Sequence, residues 1–290
     1  MAGSDSPSPR LRRTNRHRGD TQKSKACVDH GGTVSGEHGI GVEKRAAMTY
    51  QYPRQTLQLF KQIKHALDPQ LLANPEKIIP IDFASRATTY QSAEPTVQTL
   101  QQQVQKHFSQ AKPFHIIGSA TQLHIADKSV LSTRALDKIL DIDKTNYTAT
   151  VQTGIKVKHV LSVLSKEHVF ANLPADYPGT LGGLVATKTC PQFTSQIIGI
   201  EAITPDGELI QYGGKLMKNA AGYNLCRLFT GSWGALGLIT QITFKIYATP
   251  VKAQLICAQI PAAGPLFQAV KKELDPKNIF LSPAFEQDIA

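Results

Sequence analysis

The chain has 290 residues, of which 41% are hydrophobic and 19% charged, the composition of a soluble globular protein with room for one large or two modest domains. Its formal charge of +10 is unevenly spread, because residues 1–26 hold seven Lys/Arg against two Asp, and the remainder has no basic helix and no basic patch interleaved with aromatics. That distribution argues against a nucleic-acid partner, and no apolar run approaches the ~20 residues that span a bilayer.

Residues 1–26 are rich in Pro, Ser and charge and lack an apolar stretch, so they read as a disordered basic tail. Their Arg- and Ser-rich, acid-poor character leaves a transit peptide as the other reading. Next comes Gly31 to Arg45, "GGTVSGEHGIGVEKR", with five glycines, two glutamates and a histidine in fifteen residues. The segments "FKQIKHALDP" (Phe60 to Pro69) and "FQAVKKELDP" (Phe267 to Pro276) then repeat one pattern. Phe60, Ile63 and Leu67 recur as Phe267, Val270 and Leu274, an i, i+3, i+7 stripe that predicts two short amphipathic helices. Each is stopped by Asp-Pro, since proline disfavours helical geometry in the residue before it. The two copies look like one ending used twice.

Between them, "PFHIIGSATQ" predicts an apolar strand running into a Gly-Ser turn, "YTATVQTG" a strand closed by Gly154, and "KVKHVLSVLSKEH" a helix. Pro205-Asp206-Gly207 predicts a tight turn between two strands, because Pro presets its backbone angle and Asp and Gly accept the bend. Strands and helices interleave without a regular βαβ repeat or a GxGxxG, which disfavours a doubly wound dinucleotide fold. Glycines cluster at Gly179 to Gly183, Gly213-Gly214 and Gly231 to Gly237. Such clusters let main-chain amides approach a phosphate or a flat ring; singly, each also reads as a tight turn with no ligand. No GxxxxGK[ST] is present, so a P-loop site is excluded. Cys27, Cys190, Cys226 and Cys257 are far apart without CxxC spacing. That speaks against zinc or iron–sulfur ligation by this chain and for a reducing, cytoplasmic setting.

The stretches "IIGSATQLHIAD", "TATVQTGIKVKHVLSVL", "LPADYPGTLGGLVAT", "IIGIEAITPDGELIQYGG" and "MKNAAGYNLCRLFTGSWGALGLITQITFKI" follow in the order found in FAD-linked oxidases of the vanillyl-alcohol oxidase and p-cresol methylhydroxylase type. Residues 85–250 resemble the glycolate oxidase E subunit. Residues 27–80, from "GGTVSGEHGIGVEK" through "ALDPQLLANPEKI", resemble the C-terminal end of the glycolate oxidase D subunit and of FAD-linked D-2-hydroxy-acid dehydrogenases. The resemblance implies an α+β fold: an FAD-binding PCMH-type domain of two α+β subdomains over 81–249. Before it would stand a C-terminal-type oxidase fragment at 27–80, and after it a shortened cap remnant and final helix at 250–290. The chain thus looks like the tail of one flavoprotein subunit joined to most of its neighbour.

The same resemblance implies the site. The flavin pyrophosphate would follow Gly118, Ser119, Ala120, Thr121 and Gln122, where relatives have more glycines. Pro178, Gly179, Thr180, Gly182 and Gly183 would cover ring and pyrophosphate, and Gly237 and Ile239 would meet the adenosine end. Gly222, Tyr223 and Leu225 would complete the wall, although Tyr223 reads equally as a packed core aromatic. Lys218 and Arg227 would offset phosphate charge. His124 occupies a place where a covalent flavin link occurs in the superfamily, but relatives of this subtype lack it, so noncovalent FAD is expected. His38 is the family's proton acceptor and Glu37 its metal-assisting glutamate, yet the histidines that complete the metal set are not in this sequence. The implied partners are a short 2-hydroxy acid and other subunits, including an iron–sulfur subunit, with any membrane attachment peripheral. Three readings stand: an oxidoreductase subunit, a noncatalytic FAD-binding or assembly subunit, and a truncated fusion remnant.

Overall fold

The structure is a computed structural model that describes residues 22–122, 129–260 and 262–286. Residues 1–21 of the expected tail and His124, with its expected lack of a flavin link, lie outside the described residues. Residues 22–29 are helical, so the last part of the segment read as a disordered tail is ordered instead. Lys25 and Asp29 pair at 2.6 Å across one helical turn, and Gly31, at φ +79°, follows just beyond the helix end.

Two sheets form the frame. A small parallel sheet has the order β2-β1-β8, with β1 at Phe114–Ile117, β2 at Val130–Ser132 and β8 at Phe280–Leu281. A five-stranded antiparallel sheet has the order β3-β4-β7-β5-β6; its strands are β3 (Ile139–Asp143), β4 (Thr148–Gln152), β5 (Ile197–Ile203), β6 (Leu209–Gly213) and β7 (Leu238–Lys245). The Pro-Asp-Gly turn joins β5 to β6, with Gly207 at φ +82° and Thr204 Oγ1 donating to Asp206 Oδ1 at 2.5 Å. Both predicted amphipathic helices form, as Arg54–Leu67 and Pro265–Leu274, and they pack against each other. The chain is therefore mixed α+β, as expected.

The two endings are equivalent down to single hydrogen bonds. Lys64 pairs with Asp68 and Lys271 with Asp275, each one turn apart. Asp68 accepts the N–H of Leu72 and Ala73 at 3.0 and 2.9 Å, and Asp275 accepts those of Ile279 and Phe280 at the same distances. Lys64 Nζ donates to Ala73 O and Lys271 Nζ to Phe280 O. Leu71 and Asn278, three residues after each aspartate, both take positive φ. In the second copy Phe280 continues into β8 and completes the small sheet.

Residues 31–67 are part of the main core. Met48, Leu57, Phe60 and Ile63 pack in one apolar cluster with Ile200, Ile210, Leu225 and Phe244 of the large sheet and its helices. Thr56 Oγ1 donates to Gln211 O at 2.8 Å and accepts the Gln211 N–H at 3.1 Å, which ties the Arg54–Leu67 helix to β6. Tyr52 donates to Ala221 O at 2.7 Å, and Ala220 N–H donates to Ser35 O at 2.9 Å. A second apolar cluster joins the helix Pro95–Ser109 to β1, β2 and β8 through Val104, Phe114 and Phe280. Residues 250–260 have no regular secondary structure and are held at Thr189 O by the Ile256 N–H, 2.9 Å away.

Candidate functional site

β1 leaves the small sheet at Ile117 and turns into Gly118 to Gln122, across a cleft from the helix Leu181–Thr187. The cleft measures about 720 Å³ counted out to solvent. Ile116 to Gln122 form one wall, and Thr180, Gly182, Gly183, Ala186 and Thr187 the other. Thr133, Ser232 to Gly234, Gly237 and Ile239 complete the lining.

Glycine permits the close approach of these walls. A Cβ on Gly118 would stand 2.2 Å from Thr180 Oγ1, and one on Gly182 would stand 2.9 Å from Thr153 Cβ. Neither contact is physically tolerable, so both positions require a bare backbone.

The polar groups divide in a telling way. Thr180 caps its helix by accepting the Gly183 N–H at 3.3 Å, while Leu181 and Gly182 donate to Ile155 O and Thr153 O at 2.9 and 2.7 Å. The first amides of that helix are thus used inside the protein. In contrast, among the described residues no backbone carbonyl takes an N–H from Gly118 to Gln122. Successive amides of this kind suit an anion, and among the described residues no carboxylate lines the cleft. Lys156 Nζ donates to Ser119 Oγ at 2.7 Å and to Pro178 O at 3.1 Å, pinning one wall to the other with a positive charge at the rim.

Of the residues expected from sequence, Gly118, Ser119, Ala120, Thr121, Gln122, Thr180, Gly182, Gly183, Gly237 and Ile239 come together here. Pro178 and Gly179 lie behind the wall, the first bound to Lys156 and the second so close to the Tyr177 ring that a Cβ would stand 2.6 Å from it. Gly222, Tyr223 and Leu225 do not join the cleft. A Cβ on Gly222 would meet the Phe60 ring at 2.5 Å, Tyr223 stacks edge-on to Phe60 with centroids 5.6 Å apart, and Leu225 is fully buried. Together they form the seat of the Arg54–Leu67 helix. Lys218 is not a cleft residue either, since it pairs with Glu37, and Arg227 is exposed on the short helix Leu225–Phe229.

His38 and Glu37 are exposed on the loop that packs beside Asn219 to Ala221 and do not line the cleft. Their loop is nonetheless firmly held. Asn219 Oδ1 accepts from Thr33 Oγ1 at 3.1 Å and from the Ala221 N–H at 3.0 Å. Among the described residues no three His, Cys, Asp or Glu side chains stand together as metal ligands. Lys156, Thr133, Thr187 and Trp233 are lining or rim residues that sequence reasoning did not single out. Trp233 carried a signal, lying inside the Gly231 to Gly237 cluster, where it takes φ +53° between two left-handed glycines.

Residues 95–213 match the FAD binding domain family, and residues 10–78 match the family "FAD linked oxidases, C-terminal domain". The chain thus resembles FAD-linked oxidases in two separate segments. It is similar to glycolate oxidase subunit GlcD of Bacillus subtilis, 32% identical over 44% of this chain and 29% of that protein. It is also similar to glycolate oxidase subunit GlcE of Escherichia coli, 27% identical over 63% of this chain and 56% of that protein, and to D-lactate dehydrogenase of Anaerostipes hadrus, 28% identical over 47% and 30%. The chain therefore spans between 29% and 56% of the length of these relatives. Among solved structures, alkyldihydroxyacetonephosphate synthase matches at 23% identity and a TM-score of 0.43, over 53% of this chain and 31% of that one.

FAD is the cofactor of such a domain, and the residues present fit it. The cleft lies within the FAD-binding segment for the most part, and among the described residues its amides at Gly118 to Gln122 have no backbone acceptor and its lining has small side chains and no carboxylate, which suits a flat, anionic group.

Proposed function

We propose that this chain is an FAD-dependent oxidoreductase subunit of the glycolate oxidase type, with a short 2-hydroxy acid as substrate and FAD held noncovalently. The observation that carries the reading is the cleft between β1 and the helix Leu181–Thr187, lined by no carboxylate among the described residues, with five successive residues whose amides have no backbone acceptor among those residues. When bound, FAD supplies the hydride acceptor. The amides of Gly118 to Gln122 would hold its pyrophosphate, with Lys156 adding a positive charge at the rim. Gly182, Gly183 and Gly237 would leave room for flat rings.

An imidazole nitrogen of His38 accepts the proton of the substrate hydroxyl as hydride leaves the adjoining carbon, the role of a general base. Lys218 holds Glu37 beside it. Electrons then pass to an iron–sulfur subunit, and the protein works in the cytoplasm or at the inner membrane surface through its partners. No described helix is long and apolar enough to cross a membrane.

A second reading, a noncatalytic FAD-binding or assembly subunit, is favoured by one observation: His38 and Glu37 are exposed outside the cleft, with Glu37 already paired to Lys218. Anaerobic reduction of the FAD-loaded protein by glycolate or D-lactate separates the two. Bleaching that His38→Ala slows by at least about a hundredfold, as expected for loss of a general base, supports the first; flavin that never bleaches supports the second. Bleaching at an unchanged rate in His38→Ala removes His38 from the mechanism.

A further inference from the structure

Trp233 is the sole tryptophan of the chain and, among the described residues, the one aromatic side chain that lines the cleft. The rest of the lining is glycine, alanine, isoleucine, serine, threonine and glutamine. A tight turn fixes the tryptophan there. The Trp233 N–H donates to Ala186 O and the Gly231 N–H to Val185 O, each at 3.0 Å, which ties the turn to the end of the helix Leu181–Thr187. On its other side the turn stands beside β1, since a Cβ on Gly234 would lie 3.6 Å from Ile116 Cβ. Ala186 and Ile116 line opposite walls of the cleft, so the turn carrying the indole adjoins both.

Packing alone does not account for this side chain. Trp233 takes φ +53° between Gly231 at +77° and Gly234 at +78°. Left-handed backbone costs a bulky residue free energy that glycine avoids, and such strain gathers at ligand sites. Among the described lining residues, Ala120 on the opposite wall is the other non-glycine with positive φ, at +55°. The indole is largely covered, at 6% exposure, yet it belongs to neither apolar cluster of the described residues. The two cores are built without it. An aromatic side chain in a cleft otherwise lined by small and aliphatic groups suits a second flat ring, because aromatic pairs gain beyond the area they bury.

We propose that Trp233 is a cofactor-binding residue whose indole makes aromatic contact with a ring of bound FAD, the left-handed turn holding it in place for that contact. The inference rests on the FAD reading of the cleft and adds a specific side chain to a site otherwise made of main chain and small residues. FAD carries a flat ring system at each end of its pyrophosphate, adenine at one and isoalloxazine at the other, and either has the chemistry required.

Trp233→Leu keeps an apolar side chain without a flat ring, and Trp233→Phe keeps a ring. FAD affinity of the full chain is read by calorimetric titration, with circular dichroism and thermal melting to establish that each variant is folded. The expected result is FAD binding weakened about 5–30-fold by Trp233→Leu and held within about threefold of wild type by Trp233→Phe. A second reading needs no variant. The sole indole N–H gives one resonance in a heteronuclear NMR spectrum of the wild-type protein, and the ring current of a contacting ring shifts it. A shift at saturating FAD is expected; ADP and riboflavin, added separately, then assign the contact to adenine or to isoalloxazine. A folded Trp233→Leu variant that binds FAD as tightly as wild type overturns this proposal alone, as does an indole resonance unmoved at saturating FAD. A wild-type chain that takes up no FAD overturns the cofactor reading and this proposal with it.

Discussion

Asp275→Ala is the perturbation that most directly tests how the fold closes. The Asp275 side chain is fully buried, its partner Lys271 is nearly so, and burial pulls the Lys271 pKa down while the aspartate pushes it back up. Removing the carboxylate leaves a buried ammonium whose remaining partner among the described residues is Phe280 O at 2.8 Å. It also strips the acceptor from the N–H groups of Ile279 and Phe280. Breaking a buried pair costs about 3–5 kcal/mol, and each orphaned amide adds to that within the same network, so a loss of about 4 kcal/mol is expected without summing the parts. For a chain of this size that is a melting drop of roughly 10 °C. Because Phe280 enters β8 and packs edge-on against Phe114 with centroids 5.2 Å apart, amide exchange at β1 should accelerate as well. Asp68→Ala removes the same three interactions from the first copy, where water reaches the pair, and should cost clearly less. Equilibrium unfolding in urea measures both. Asp275→Ala within about 1 kcal/mol of wild type, or Asp68→Ala equally damaging, would refute the reasoning, since burial is the main difference between the two copies.

Other consequences are open to simpler assays. Cys27 and Cys257 are exposed while Cys190 and Cys226 are buried, and burial pushes the Cys226 thiol up to about 12; a thiol reagent should therefore titrate two cysteines quickly and the other two only on unfolding. Asp143 is held down to about 2, chiefly by hydrogen bonds from Asn146 and then by Lys215. Its folded pKa is depressed, so its contribution is complete above the ordinary value of 3.8 and disappears as pH falls through about 2. The stability gap between wild type and Asp143→Asn should follow that course, and a gap that widens on acidification contradicts it.

Local chemistry was largely legible in the sequence. The i, i+3, i+7 stripes and Asp-Pro stops gave both amphipathic helices, and Pro205-Asp206-Gly207 gave the turn between β5 and β6, because each depends on residues close in the chain. The equivalence of the two endings was visible as a repeat, but their packing against each other and the burial of only the second Lys-Asp pair depend on tertiary contacts. Glycine was the least transparent signal. Gly118, Gly182 and Gly183 line the cleft, whereas Gly222, with similar surroundings in sequence, makes room for the Phe60 ring. A missing Cβ can admit a ligand or a neighbouring side chain, and only the structure tells which. Lys156 escaped notice because it lies in no glycine cluster; its importance comes from the hydrogen bonds it makes to Ser119 and Pro178.

The visible absorbance spectrum of the purified protein, titrated with FAD and then given glycolate or D-lactate without oxygen, tests the central claim most directly. The account predicts a bound-flavin spectrum saturating at one FAD per chain, followed by bleaching on addition of the 2-hydroxy acid. Failure to bind FAD would contradict it at its base, because the cleft between β1 and the helix Leu181–Thr187 would then have some other purpose.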